Sequence, residues 1–137
     1  MNKKQFLAEF MEEVWNRKDL ECIAKYVHSE YEVKLDPGDP WEGKRLDHET
    51  FKQRLKYSFD SFSDMNFEIT SMIGEEEHVA ITWIMRGTND GKIGDIPPTH
   101  KKIETKGMTI YHFKADKISG HTQIFDRNKV MFQLGFG

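Results

Sequence analysis

The runs KGMTIYHFK, residues 106–114, and KISGHTQIFD, residues 117–126, decide how this chain folds. Both are rich in residues that favour extended backbone, and Lys114-Ala115-Asp116-Lys117 joins them as a hairpin would. Working upstream, Phe67, Ile69, Ser71 and Ile73 alternate with Glu68, Thr70 and Met72, the period of a strand. Gly74-Glu75-Glu76-Glu77 turns the chain, Val79–Thr88 returns as a strand, and Asn89-Asp90-Gly91 turns it again. Lys92–Lys101, with Pro97-Pro98, is a loop. The second half therefore predicts consecutive antiparallel strands in a meander.

The first half has a different period. Phe6, Phe10 and Val14 recur every fourth residue, with Leu7, Met11 and Trp15 beside them and the acids mainly opposite, which predicts an amphipathic helix. Asp19 caps a second helix to about Val27, and Asp47 a third to about Phe59 with the stripe Phe51, Leu55 and Phe59. Between them, Tyr31–Leu35 reads as a short strand stopped by Asp36-Pro37-Gly38-Asp39-Pro40, a loop that carries Trp41. Helices followed by a run of strands make an α+β fold, with N-terminal helices covering one face of a curved antiparallel sheet. Such a cone is open at one end and forms an internal pocket for a small molecule. Phe6, Phe10, Val14, Phe51, Leu55, Phe59, Ile81, Trp83 and Ile110 are the expected core.

At 137 residues the chain is expected to be a single domain, residues 1–137. A net charge of −3, with no basic run standing apart from acids, argues against nucleic acid as a partner. Cys22 is alone, so no intrachain disulfide forms, in keeping with a reducing compartment. The N-terminal residues interleave acids rather than forming an apolar signal, and no segment reads as a membrane span. A cytoplasmic protein is expected.

Trp83-Ile84-Met85-Arg86-Gly87-Thr88, Ile96-Pro97-Pro98-Thr99-His100-Lys101, Gly107, Lys117-Ile118, Asp126 and Gln133-Leu134-Gly135 follow one another in an order that carries a family pattern. Val14-Trp15-Asn16 and Asp19-Leu20 fit the same pattern. Together they resemble the SnoaL-like polyketide cyclases, or ester cyclases, of the nuclear-transport-factor-2-like superfamily, over nearly the whole chain. The resemblance implies a cofactor-free intramolecular aldol condensation on a polyketide ester, with an aspartate near the end of the last strand as general acid/base. Asp126 occupies that position. At two places this chain departs from the pattern: Thr122 stands where the family commonly has Trp, and Leu35 where it commonly has His.

A carboxylate among apolar walls has a raised pKa suited to moving a proton beside a carbonyl. If Asp126 faces the cavity, alternation puts Thr122 and Ile124 there too, and sends His121, Gln123 and Phe125 to the other face. The alternative for Asp126 is a strand-end carboxylate that caps backbone or pairs with Arg127 or Lys129. Met108, Ile110 and His112 of the neighbouring strand, with Trp83, Leu35 and Trp41, complete the expected pocket. His112 is either a polarising group or a satisfied structural histidine. No metal is expected, because no histidine pairs with another ligand at a recognisable spacing, and the resemblance implies no other cofactor. Tyr111 and Phe113 with His121, Gln123 and Phe125 form a face too aromatic for water, which predicts a homodimer through the sheet. Three functions stay open: a cyclase, a non-catalytic small-molecule-binding module, and an isomerase or hydrolase on the same fold.

Overall fold

A computed structural model describes residues 1–136 of the chain. Helix α1, Lys3–Phe10, starts where the Asn2 side chain accepts from the Gln5 amide, and runs into a wider π-helical turn, Met11–Asn16. Leu7, Phe10, Met11, Val14 and Trp15 are buried on its inner side. Phe6 is half-buried against the same core. The next helical segment is shorter than its pattern predicts: a 3-10 turn, Leu20–Cys22, and then α2, Ile23–Tyr26. From Val27 the chain is already extended, so β1 spans Val27–Leu35. Pro37 follows at once and ends it, since proline has no amide to give to a ladder.

After the short β2, Arg45–Leu46, the Asp47 carboxylate accepts from the Thr50 amide at 2.8 Å and starts α3, His48–Ser61. The meander then follows as β3, Asn66–Glu75, β4, His78–Thr88, β5, Lys102–Lys114, and β6, Lys117–Phe125. Helix α4, Arg127–Gln133, closes the described chain. The strand order is β2-β1-β6-β5-β4-β3. The meander is antiparallel, as its pattern predicts, but β1 joins β6 in parallel, so the sheet as a whole is mixed. This α+β architecture of helices on a curved sheet is the one the sequence predicts.

Curvature comes from register shifts between Ile69 and Ser71, between His112 and Phe113, and along the β1–β6 pair. Two glycines allow close approaches within the sheet. A Cβ on Gly120 would stand 2.6 Å from the Glu32 carbonyl oxygen, where β6 meets β1, and one on Gly107 would stand 2.3 Å from the Trp83 ring.

The inner face carries Val79, Ile81, Trp83 and Met85 from β4, Thr109, Tyr111 and Phe113 from β5, and His121 from β6, all buried. This corrects one expected core residue and one expected surface. Ile110 is 41% exposed, on the outer face with Met108 and Ile124. Tyr111, Phe113 and His121 point inward and cannot form a dimer face. The alternation along β6 holds, but the faces are exchanged relative to expectation, because the aromatic rings of β5 and β6 take the side that the helices cover.

Candidate functional site

The loop Asp36-Pro37-Gly38-Asp39-Pro40 turns back on itself, with the Asp39 amide donating to the Asp36 carbonyl at 2.9 Å. The Asp36 amide donates to Glu42 Oε2 at 2.7 Å. This fold-back aims the Asp36 side chain into the interior, where it is 1% exposed. A bare buried carboxylate is costly, and here it is surrounded by donors. Asp36 Oδ2 accepts from His121 Nε2 at 2.8 Å, Arg54 Nη2 at 3.0 Å and Gln123 Nε2 at 3.1 Å. Oδ1 accepts from Arg127 Nη2 at 2.8 Å. Arg54 also reaches Asp39 Oδ2, at 3.0 Å. Burial works to raise the Asp36 pKa, but the His121 hydrogen bond and the charges of Arg54 and Arg127 outweigh it and hold the carboxyl below its usual range.

An ionised Asp36 has no proton to give, so the hydrogen between it and His121 sits on Nε2. The other ring nitrogen, Nδ1, then accepts from the Tyr31 hydroxyl at 2.5 Å. Burial pushes the His121 pKa down against the pull of Asp36, and pushes that of Tyr31 well up. Both rings are therefore neutral at neutral pH, in a line Tyr31–His121–Asp36. A second line steadies Asp36 from the other side: Trp83 Nε1 donates to Thr109 Oγ1 at 2.9 Å, and Thr109 donates to Gln123 Oε1 at 2.7 Å. That contact turns the Gln123 amide so that its NH2 faces Asp36.

Tyr31, Arg54, His121 and Gln123 line a cavity of about 80 Å³ whose other walls include Trp15, Phe51, Phe67 and Trp83. The hydrogen-bonded Tyr31 and His121 and an aromatic wall thus share one cavity, an arrangement that suits acid/base chemistry on an apolar substrate.

Of the residues expected in the pocket, Trp83 lines this cavity and the rest lie elsewhere. Asp126 is exposed and caps α4, its Oδ1 accepting from the Lys129 amide at 2.9 Å. It borders an outer groove with Met108 and Ile124, not the cavity. A helix cap is the alternative use of such a carboxylate, and alternation puts Asp126 on the outer face with Ile124 while His121, Gln123 and Phe125 face the cavity. Ile124 is 61% exposed and Met108 63%, while Leu35 is 40% exposed at the end of β1. His112 and Thr122 bond each other at 3.1 Å, away from the cavity; burial pushes His112 down to about 4. Trp41 stacks edge-on against Tyr57 at 5.4 Å between ring centres.

The residues that the sequence reading missed left two signals. Arg54 lies on the apolar stripe of α3 beside Phe51 and Leu55, a charge that needs a buried partner. Two aspartates flank Pro37-Gly38 in the loop directly after β1, and they supply that partner. Among the described residues no set of three or more His, Cys, Asp and Glu side chains is grouped to hold a metal ion. Nor is any helix among them long and apolar enough to cross a membrane.

The model of the SnoaL-like polyketide cyclase family matches residues 5–134. Among solved structures, a candidate polyketide cyclase from Acidithiobacillus ferrooxidans is 38% identical, with a TM-score of 0.88 over 95% of this chain and 92% of that one. IdmH, a candidate polyketide cyclase from Streptomyces antibioticus, shares the fold at 21% identity, with a TM-score of 0.81 over 98% of this chain and 99% of that one. AclR, a candidate hydroxylase from Streptomyces galilaeus, does so at 21% identity and a TM-score of 0.79, over 98% and 82%. None of the curated proteins matches the chain. With a family model covering nearly all of its length and a relative at that identity, the chain belongs to the SnoaL-like polyketide cyclase family.

Proposed function

We propose that this protein is an ester-cyclase-type enzyme that moves a proton at the carbon beside a carbonyl of a small, largely apolar, polyketide-like substrate, without a cofactor. The observation that carries the reading is the buried Tyr31–His121–Asp36 line opening into an aromatic cavity. In the reaction, Tyr31 Oη takes the proton from carbon while its own proton passes to His121 Nδ1. The imidazolium so formed lies against the Asp36 carboxylate, which stabilises it. The enolate carbon then attacks a second carbonyl of the same molecule. His121 returns its proton through Tyr31 to the new alkoxide, so the enzyme ends as it began. This places the acid/base role on the Tyr31–His121 pair instead of Asp126. An isomerase would share the first step and differ only in where the proton is returned.

The test uses β-tetralone, an apolar bicyclic ketone, and follows deuterium entry beside its carbonyl by proton NMR. The wild-type protein is expected to exceed the buffer rate. His121→Gln should lower the excess by roughly 10²–10⁴-fold, and Asp126→Asn should leave it in place. Exchange at the buffer rate with wild-type protein would sink the proposal.

We also propose a homodimer, through the outer sheet face that carries Leu35, Met108, Ile110 and Ile124. These exposed apolar side chains come from adjoining strands β1, β6 and β5 and make one patch of the kind that marks a protein–protein contact.

A further inference from the structure

Beside the acid/base cavity lies a second space that the proton relay does not use. It measures about 320 Å³ and lies between the end of α3, the loop at Gly38 and Pro40, and α4. Tyr57, Phe62, Ile93, Val130 and Met131 give it apolar walls. Ser58, Met65, Met85, Phe125 and Arg127 face both spaces, so the two adjoin. The inner cavity, at about 80 Å³, falls far short of the ~300–1,000 Å³ that encloses a molecule of drug size. It has room for a reacting end only. The outer space reaches the lower end of that range.

Arg127 stands at the throat between them. Its Nε donates to the Pro37 carbonyl at 2.6 Å and its Nη2 to Asp36, while its guanidinium carbon lies 4.4 Å from the centre of the Phe125 ring. Gly38, at φ +91°, makes room for this stem, since a Cβ there would stand 2.6 Å from Arg127 Cδ. The charges at the throat do not favour an anion. Arg54 and Arg127 are matched by Asp36 and Asp39, and Glu42 adds a further negative charge beside Asp36.

We propose that this vestibule is the binding subsite for the apolar body of an uncharged, ring-sized carbonyl compound, whose carbonyl end passes Arg127 into the inner cavity. The direction in which the carbonyl points rests on the acid/base reading; the vestibule as the seat of the apolar body does not. An apolar ligand with a free carboxylate is discriminated against, because the throat has no unmatched cation to receive it.

The test uses prodan, an uncharged naphthyl ketone whose emission shifts to the blue in apolar surroundings, titrated with the full chain. Wild-type protein should bind it saturably, and naphthoate should compete about tenfold or more less well than methyl naphthoate. Met131→Trp, which fills the vestibule, and Val130→Asp, which puts a charge in its wall, should each weaken prodan binding about tenfold or more, with circular dichroism unchanged. Tyr31→Phe should lose deuterium exchange on β-tetralone. No saturable binding by wild type overturns the proposal. So does binding that survives both vestibule substitutions, or competition by naphthoate equal to that of its ester. If exchange is absent from wild type while prodan binds as described, the acid/base reading falls and the vestibule stands.

Discussion

His121 Nε2 and Asp36 Oδ2 stand 2.8 Å apart, although 85 residues separate them in the chain. The parallel pairing of β1 with β6 brings them together. Val33 lies opposite His121 and Leu35 opposite Thr122, so the loop that leaves β1 delivers Asp36 beside the inward residues of β6. The close approach of the strands at Gly120 makes that pairing possible. The site is thus a consequence of topology, built where an N-terminal strand docks on the last one.

Asp36→Asn should destabilise the fold. Arg54 is 7% exposed, and the substitution leaves its charge with Asp39 alone while the Arg127 and His121 donors lose their anionic acceptor. Breaking a buried charge pair costs about 3–5 kcal/mol, and the surviving Asp39 contact puts the expectation near the lower end. Urea denaturation of the two proteins measures it. A loss below about 1 kcal/mol would contradict this account of the cluster.

Asp126→Ala should cost about 1 kcal/mol, the worth of a helix N-cap, and Asp126→Asn almost nothing, because asparagine caps as well. Thermal unfolding separates the two. A large loss of deuterium exchange in Asp126→Asn, with the fold intact, would return the acid/base role to the strand end.

The fold was legible because it depends on periodicity. The switch from the four-residue recurrence of Phe6, Phe10 and Val14 to the two-residue alternation of Phe67, Ile69 and Ile73 marks helices and then a meander, whatever the partners are. The parallel β1–β6 pair left no such mark, since strand pairing is nonlocal, and with it went the position of Asp36. Alternation also fixes which β6 residues share a face without saying which face is covered. The rings of Tyr111 and Phe113 did not decide between them, because they fit a dimer face as well as the interior they occupy. Arg54 was legible as an anomaly on an apolar stripe; its meaning required the loop after β1.

Stability should fall as pH drops from about 6.5 towards about 4. Burial keeps His121 and His112 below the ordinary histidine value, so in this window the unfolded chain takes up protons that the folded chain refuses. The unfolded state binds more protons, and stability therefore rises with pH. Asp36 acts in the same direction at lower pH: its folded pKa is depressed, so its contribution is present above the usual carboxylate value of about 3.9 and is lost as pH falls through the folded value. Melting temperatures at pH 7 and pH 5 test this, and His112→Gln should flatten the slope. A melting temperature that rises on acidification would contradict it.

Met108→Lys with Ile124→Lys should turn a dimer into a monomer at micromolar concentration, read by light scattering, because both side chains are more than half exposed on the outer patch. A wild-type protein that is already monomeric would remove the proposed interface.

In the proposed mechanism His121 is neutral, carries its proton on Nε2 against Asp36, and receives the Tyr31 proton on Nδ1 during turnover. Imidazole nitrogen NMR of histidine-labelled protein at pH 7, with His121 assigned from the His121→Gln variant, tests it most directly when paired with β-tetralone exchange on the same sample. Expected are a protonated Nε2, an unprotonated hydrogen-bonded Nδ1 whose shift changes in Tyr31→Phe, and exchange that is lost with either substitution. A cationic His121 at pH 7, or the opposite tautomer, with exchange unchanged in Tyr31→Phe, would contradict it.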